Sequence, residues 1–297
     1  MSEPIFGRTI VASVTPFDDD LDVDFTRAQE LADRFVAAGV DCIAVCPTTG
    51  ECPTVSHDDK ITLFKSVIEA VDGRCKVIAY AGNNNTADSV AFAKEVEGMG
   101  FDGYLMVVPY YNKPPQEGLY QHFAALARAV ELPMLLYNVP GRTVTNMQAA
   151  TTVRLAKDFD NIVGIKEASG KMDQIAEIIQ NAPEGFCVYS GDDADTLEIM
   201  GLGGVGVVST IGNLAPKRMK EIVELEAAGK HEEAVKANEA LLPLMKELFI
   251  TSNPIMVKEA LKLAGFPVGG VRLPLVPATK EQSDELATVM AQCTPIE

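Results

Sequence analysis

Lys166 closes the apolar run IVGIK (162–166) and is followed at once by Glu167 in GIKEASG. An amine placed at the mouth of a dry cleft loses proton affinity through desolvation and neighbouring cations, and becomes a nucleophile able to form an imine with a carbonyl compound. The same position suits a lysine that reaches solvent along its aliphatic stem or pairs with Glu167, so position alone leaves both readings open. Polar residues also end the other apolar runs. These are Thr48, Thr49 and Glu51 in PTTGE, Gly82 with Asn83 and Asn84, Tyr110 and Tyr111, and Tyr137, Asn138 and Arg142 in YNVPGRT. Ser190, Gly191, Asp192 and Asp193 follow in YSGDD, and Ser209 follows Val208 in GVVS. A phenol such as Tyr137 can give and take protons, although a tyrosine is more often a packed aromatic. Thr48 and Thr49 read equally well as caps of a following helix. The planar fork of Arg142 suits a carboxylate.

The elements that must position these residues alternate in type. Short runs rich in β-branched residues occupy 9–15, 42–46, 75–80, 103–108, 133–139, 162–166, 186–190 and 205–209. Between them lie segments of helical period, such as DFTRAQELADRFVAAG, where Leu31, Phe35 and Ala38 recur on one face and Gly39 stops the helix. That alternation is the signature of parallel βα units, and about eight of them close a barrel. The fold expected is therefore α/β, a (β/α)8 TIM barrel, with its active residues at the C-terminal ends of the strands. No GxGxxG follows the first strand, which disfavours an open dinucleotide-binding sheet. Beyond residue 225 the strand signal stops, and 221–249, 253–266 and 280–292 read as three helices. The organisation expected is a catalytic barrel over 1–225 and a small C-terminal three-helix appendage over 226–297. The glycine-rich segment 201–208 could cradle a phosphate, but a tight turn feeding a crowded strand is favoured.

Composition narrows the function. With 297 residues, 47% hydrophobic and 23% charged, the chain can bury a large core. A formal charge of −17 opposes nucleic acid and anionic membranes as partners. The start lacks a basic region followed by a long apolar one, and no run reaches the roughly 18 apolar residues needed to span a bilayer, so a cytoplasmic location is expected. Six cysteines show no CxxC or zinc spacing and read as reduced, mostly buried thiols. Three scattered histidines offer no metal cluster, and no metal is expected.

Together PTTGE (47–51), YYNKPPQEGLYQHF (110–123), YNVPGRT (137–143), GIKEASG (164–170), YSGDD (189–193), GVVS (206–209) and NPIMVKEALKLAG (253–265) resemble the dihydrodipicolinate synthases. These are class I pyruvate-dependent aldolases, and the likeness runs through the chain in order, tail included. The resemblance implies that Lys166 condenses with pyruvate, that Tyr137 moves protons at the imine and enamine stages, and that Thr48 and Tyr111 complete a hydroxyl relay. It implies that Tyr111 is donated across a dimer interface, so a homo-oligomer, a tetramer built from tight dimers, is expected. Thr49, Gly191 and the backbone around Val208 correspond to pyruvate contacts, and Arg142 to the receptor of the carboxylate of L-aspartate 4-semialdehyde. No cofactor is implied. N-acetylneuraminate lyases and 2-keto-3-deoxy sugar acid aldolases share the lysine and tyrosine but generally lack the arginine of VPGRT, so Arg142 favours the synthase activity. A non-catalytic pyruvate sensor on the same barrel would have no need of the relay.

Two departures from the family pattern stand out. Pro47 replaces the usual glycine before TTGE, fixing φ and removing an amide donor, and Pro53 stiffens the same loop, so the orientation of Thr48 and Thr49 is expected to be retained with at most subtle changes in pyruvate affinity. Where L-lysine inhibits, its contacts correspond to Pro53, His57, Lys60, Asn84, Asp88 and Tyr110. Here Lys60 replaces a second histidine common in the sensitive forms and Asp88 is shorter than the usual glutamate, and a cation beside a cationic ligand implies weak or absent feedback inhibition.

Overall fold

The computed structural model describes residues 3–293. Met1, Ser2 and residues 294–297, the last of them part of the tail region assigned to 226–297, lie outside that range. Parallel strands follow one another in a closed barrel, β1 to β8. They are β1 (Thr9–Ala12), β2 (Cys42–Val45), β3 (Lys76–Tyr80), β4 (Gly103–Val107), β5 (Met134–Asn138), β6 (Ile162–Glu167), β7 (Cys187–Ser190) and β8 (Gly206–Ser209). All eight expected strands are present. Their near-continuous apolar runs are buried on both faces, as strands flanked by helices must be. β1 stops at Ala12 instead of Thr15 because the amide of Val14 donates to the Asn213 side-chain carbonyl (2.9 Å) and leaves the ladder.

The helices are α1 (Phe25–Ala37), α2 (His57–Val71), α3 (Thr86–Val96), α4 (Gln116–Ala127), α5 (Pro140–Thr143), α6 (Ala149–Asp158), α7 (Met172–Asn181), α8 (Thr196–Gly201) and α9 (Pro216–Ala227). The tail adds α10 (His231–Glu247), α11 (Ile255–Leu263) and α12 (Lys280–Gln292). Residues 221–249, expected as one helix, are divided by Gly229. Its φ of 75° lets Gly229 and Lys230 turn their amides back onto the carbonyls of Glu226 and Leu225, both at 2.9 Å. The first half of that segment therefore belongs to α9, which follows β8. Among the described residues no helix is long and apolar enough to cross a membrane.

Chain contacts gather into two units, one holding the chain up to Arg8 together with Ile78–Val208, the other Thr9–Val77 together with the chain from Ser209 onward. In the first, β4 to β7 pair in parallel, with a register shift against β6 between Met134 and Leu135, and Leu105, Leu135, Leu136 and Ile165 are fully buried. Gly164 is required there, since a Cβ would overlap the Cys187 carbonyl oxygen of the next strand. In the second, β1 pairs with β2, and α1 packs on α2, with Leu31 and Phe35 of the one and Leu63 and Phe64 of the other buried. Asp24 caps α1 by accepting from the Arg27 amide (2.8 Å). The tail joins this unit where the Phe17 amide donates to the Val268 carbonyl (3.0 Å).

Candidate active site

The first unit carries the lysine. Lys166 lies in β6 in register with Tyr137 of β5 and Tyr189 of β7. Its side chain is buried, 4% exposed, and Nζ stands 4.4 Å from the centre of the Tyr137 ring. Burial lowers its pKa to about 8; the carboxylates of Asp193 and Asp192 pull it up, and the Arg142 guanidinium pushes it down. About a tenth of the amine is then neutral at pH 7, several hundredfold more than for a solvated lysine.

Burial removes the reading of Lys166 as a lysine reaching solvent, and the neighbourhood of Glu167 removes the ion pair. Successive strand residues point to opposite faces. The Glu167 carboxylate is already occupied, accepting from Asn138 Nδ2 on both oxygens (3.0 and 3.1 Å), the Ser169 amide (2.9 Å) and Gln174 Nε2 (3.3 Å). Burial raises the Glu167 pKa, and these donors oppose it. Asn138 also accepts from the Met147 amide (3.0 Å) and donates to Asn146 (2.9 Å). The network laces the end of β5 to the end of β6 and so fixes the spacing of Tyr137 and Lys166, one residue earlier on each strand. Sequence reasoning missed that role; adjacent strands ending in Tyr-Asn and Lys-Glu were its signal.

Tyr137 is buried, and Arg142 is exposed on α5, one turn beyond β5. Gly191 donates its amide to the Glu167 carbonyl (2.7 Å), and a Cβ there would meet that of Ala168 at 2.6 Å, so β7 can leave the barrel against β6 only through a glycine. Asp193, without an assigned role in the sequence reading, is buried and is the leading counter-charge to Lys166. Val208 is fully buried in β8. Tyr111 is not gathered with these residues: it is 86% exposed, with a left-handed φ of 73°. The glycine-rich segment is a tight turn, with Gly203 at φ 110° and a Cβ at Gly206 excluded by the Arg8 carbonyl.

Thr48 and Thr49 belong to the second unit. Their loop turns on itself through Gly50 N to Pro47 O (2.9 Å) and Glu51 N to Thr48 O (3.1 Å). Pro47 serves that turn through its carbonyl, which also accepts from the Cys52 amide (3.4 Å). Neither threonine caps α2; Ser56 does, accepting from the Asp59 amide (3.1 Å). The Thr49 hydroxyl accepts from Asn253 Nδ2 (2.9 Å), just before α11. Glu51, at a left-handed φ of 54°, meets Lys258 Nζ of α11 at 2.7 Å, the two side chains 2% and 3% exposed. Glu51 also accepts from the Arg272 amide (2.9 Å), while Lys258 donates to the Gly270 carbonyl (2.8 Å) and lies 3.9 Å from the Phe17 ring centre. Burial lowers the Lys258 pKa to about 8 against the pull of Glu51, and Arg272 lowers it further. The helical tail thus anchors the threonine loop, a second role that sequence reasoning missed. Of the six positions compared with lysine contacts, Asn84 donates to the Tyr110 carbonyl (3.1 Å) in the first unit, while Pro53, His57 and Lys60 lie in the second. Among the described residues no three His, Cys, Asp or Glu side chains gather as metal ligands.

The sequence profile of the dihydrodipicolinate synthetase family matches residues 5–293. The chain belongs to that family. Within the dihydrodipicolinate synthetase family, a 4-hydroxy-tetrahydrodipicolinate synthase of Symbiobacterium thermophilum is 51% identical over 97% of this chain and 98% of its own. A dihydrodipicolinate synthase crystal structure from Cyanidioschyzon merolae, with lysine bound, superposes with a TM-score of 0.96 at 43% identity, covering 98% of this chain and 99% of that one. A structure described as the first monomeric dihydrodipicolinate synthase variant superposes at 0.95 with 40% identity, covering 97% of each chain.

Proposed function

We infer that the chain is a Schiff-base lyase that condenses pyruvate, held as an imine on Lys166, with L-aspartate 4-semialdehyde, the 4-hydroxy-tetrahydrodipicolinate synthase reaction on the diaminopimelate route to lysine. The observation that carries this reading is the buried, partly neutral Lys166 amine against the Tyr137 ring, in a chain so similar to synthases. The neutral amine adds to the pyruvate carbonyl, and loss of water, with a proton supplied by Tyr137, gives the protonated imine. That imine is the electron sink that makes the methyl group acidic, and Tyr137 takes the proton to leave an enamine. The enamine carbon attacks the aldehyde, and the amine of the second substrate then displaces Lys166 and closes the ring. Thr48 and Tyr111 carry protons onward, and Thr49, Gly191 and the backbone at Val208 hold pyruvate.

The exposure of Tyr111 supports its delivery to a second copy of the chain, in a tetramer of tight dimers located in the cytoplasm. We further propose that residues 1–225 form the catalytic part and 226–297 a helical region that steadies it.

Two results check the assignment of charge. Imine formation with pyruvate, followed by rapid mixing, is expected to climb with pH through about 8 and then level off, because the protonated amine cannot attack. A limb rising on into the ordinary lysine range would remove the desolvated amine. Arg142→Ala is expected to raise KM for the semialdehyde about 10- to 100-fold with little change in KM for pyruvate. The assignment itself is tested by a coupled assay with pyruvate and L-aspartate 4-semialdehyde beside N-acetylneuraminate cleavage, with Lys166→Ala as control. Turnover of N-acetylneuraminate alone would assign the barrel to the lyase branch.

A further inference from the structure

Two cysteines bracket the loop that carries Thr48 and Thr49. Cys46 precedes it at a left-handed φ of 55° and is buried. Cys52 follows it, half-buried, at the start of the 3-10 turn Cys52–Thr54. The turn bonds onto the Pro47 carbonyl fold the loop back, and the two thiols face each other closely enough to share a hydrogen bond. The Cys46 sulfur also approaches the Gly50 carbonyl (3.8 Å), inside the loop it closes.

We propose that Cys46 and Cys52 form a modification site for peroxide, closing to a disulfide that cinches the substrate-binding loop between them. The two thiols are unequal in the way such a site needs. The hydrogen bond from Cys46 and the neighbouring Lys60 ammonium lower the Cys52 pKa against its burial, so Cys52 is the more readily ionised of the two thiols. Sharing that hydrogen bond, and burial, raise Cys46, which stays a protonated thiol until it is used. By contrast, Cys187 is buried and its thiol is pushed up by burial.

The chemistry balances with hydrogen peroxide as oxidant. The Cys52 thiolate attacks one peroxide oxygen, the O–O bond breaks, and the sulfur becomes a sulfenic acid as hydroxide leaves and is protonated to water. Cys46 then loses its proton, attacks the Cys52 sulfur and expels the sulfenic oxygen as a second water. Two thiols lose two electrons and two protons, and peroxide is reduced to two waters. Closing the bond draws the sulfurs to about 2 Å, nearer than any hydrogen bond holds them. The pull falls on a loop whose Thr49 and Glu51 are tied to Asn253 and Lys258, so the threonines must shift against fixed anchors. The effect on turnover rests on the function inferred above; the disulfide itself does not.

The test uses the reduced full-length protein, treated with hydrogen peroxide, blocked with an alkylating agent and mapped by peptide mass spectrometry without reductant. The expected result is a Cys46–Cys52 crosslink lighter by two hydrogens, a drop in condensation activity of about tenfold or more, and recovery of both by dithiothreitol. Cys52→Ser is expected to keep its basal activity and to resist peroxide. Accumulation of sulfinic acid on Cys52, or disulfides only at other cysteines, would overturn the site. A crosslink that leaves turnover unchanged would overturn its hold on the loop. Borohydride trapping of pyruvate on the reduced protein reads Lys166 separately, so failure of the catalytic reading cannot be mistaken for failure of the dithiol.

Discussion

Lys166→Ala is expected to lower turnover by roughly four orders of magnitude or more without unfolding the protein. The amine is the only group in the proposed reaction that becomes covalently bound to substrate, so no neighbour can take its place. Stability should change little, because two effects oppose one another. Folding depresses the Lys166 pKa, so the folded state holds the proton less tightly than the unfolded chain between pH about 8 and the ordinary lysine value. Burying the charged form therefore costs stability below that window, roughly 3 kcal/mol at pH 7, and the cost fades as pH rises through it. Alanine removes that cost but leaves a cavity of comparable penalty. A melting temperature close to the parent's, with turnover gone, is the signature to look for. A variant that is merely unfolded would lose both.

Glu51→Gln is expected to produce the largest stability loss of any single change at the threonine loop, about 3–5 kcal/mol by urea denaturation at pH 7. The substitution nearly preserves shape and removes one charge. Lys258 is left buried against Phe17 with only the Gly270 carbonyl, while Arg272 lies near enough to repel it. Lys258 can respond by shedding its proton, and its folded pKa, already about 8, falls further once Glu51 is neutral. The unfolded chain then binds the proton over a wide window in which the folded one does not, so the deficit is greatest below that window and shrinks as pH rises towards the ordinary lysine value. Adding Lys258→Met should restore most of the loss, because a neutral pair needs no compensation. Pyruvate KM should rise in Glu51→Gln, since the loop holding Thr49 loses its anchor. Equal urea midpoints for Glu51→Gln and the parent would show that the pair does not hold the loop.

The barrel was legible because its strands are buried on both faces and leave apolar runs that nothing else in the chain resembles. The ends of elements were less so. β1 is cut short by a side chain from Asn213, 199 positions away, and no local pattern announces that. The break at Gly229 could have been read, since glycine after a helical run is a stop signal, but the apolar period continues on both sides and hides it. At the site, Lys166 was found from its place at a strand end, yet its choice between nucleophile and ion pair needed the alternation of faces and the three donors that occupy Glu167. The hold of the tail on the threonine loop was invisible, because Thr49 and Asn253 lie 204 positions apart and become neighbours only on folding. Asp193 was visible as a strand-end residue, but its bearing on Lys166 depends on burial, which YSGDD does not encode.

The central claim is that Lys166 forms the imine. Incubating the protein with pyruvate, reducing with borohydride and mapping the adduct by mass spectrometry tests it directly. The account predicts one reduced pyruvate adduct, on Lys166, which Lys166→Ala abolishes. An adduct on another lysine, or none under conditions in which the protein turns over, would contradict it.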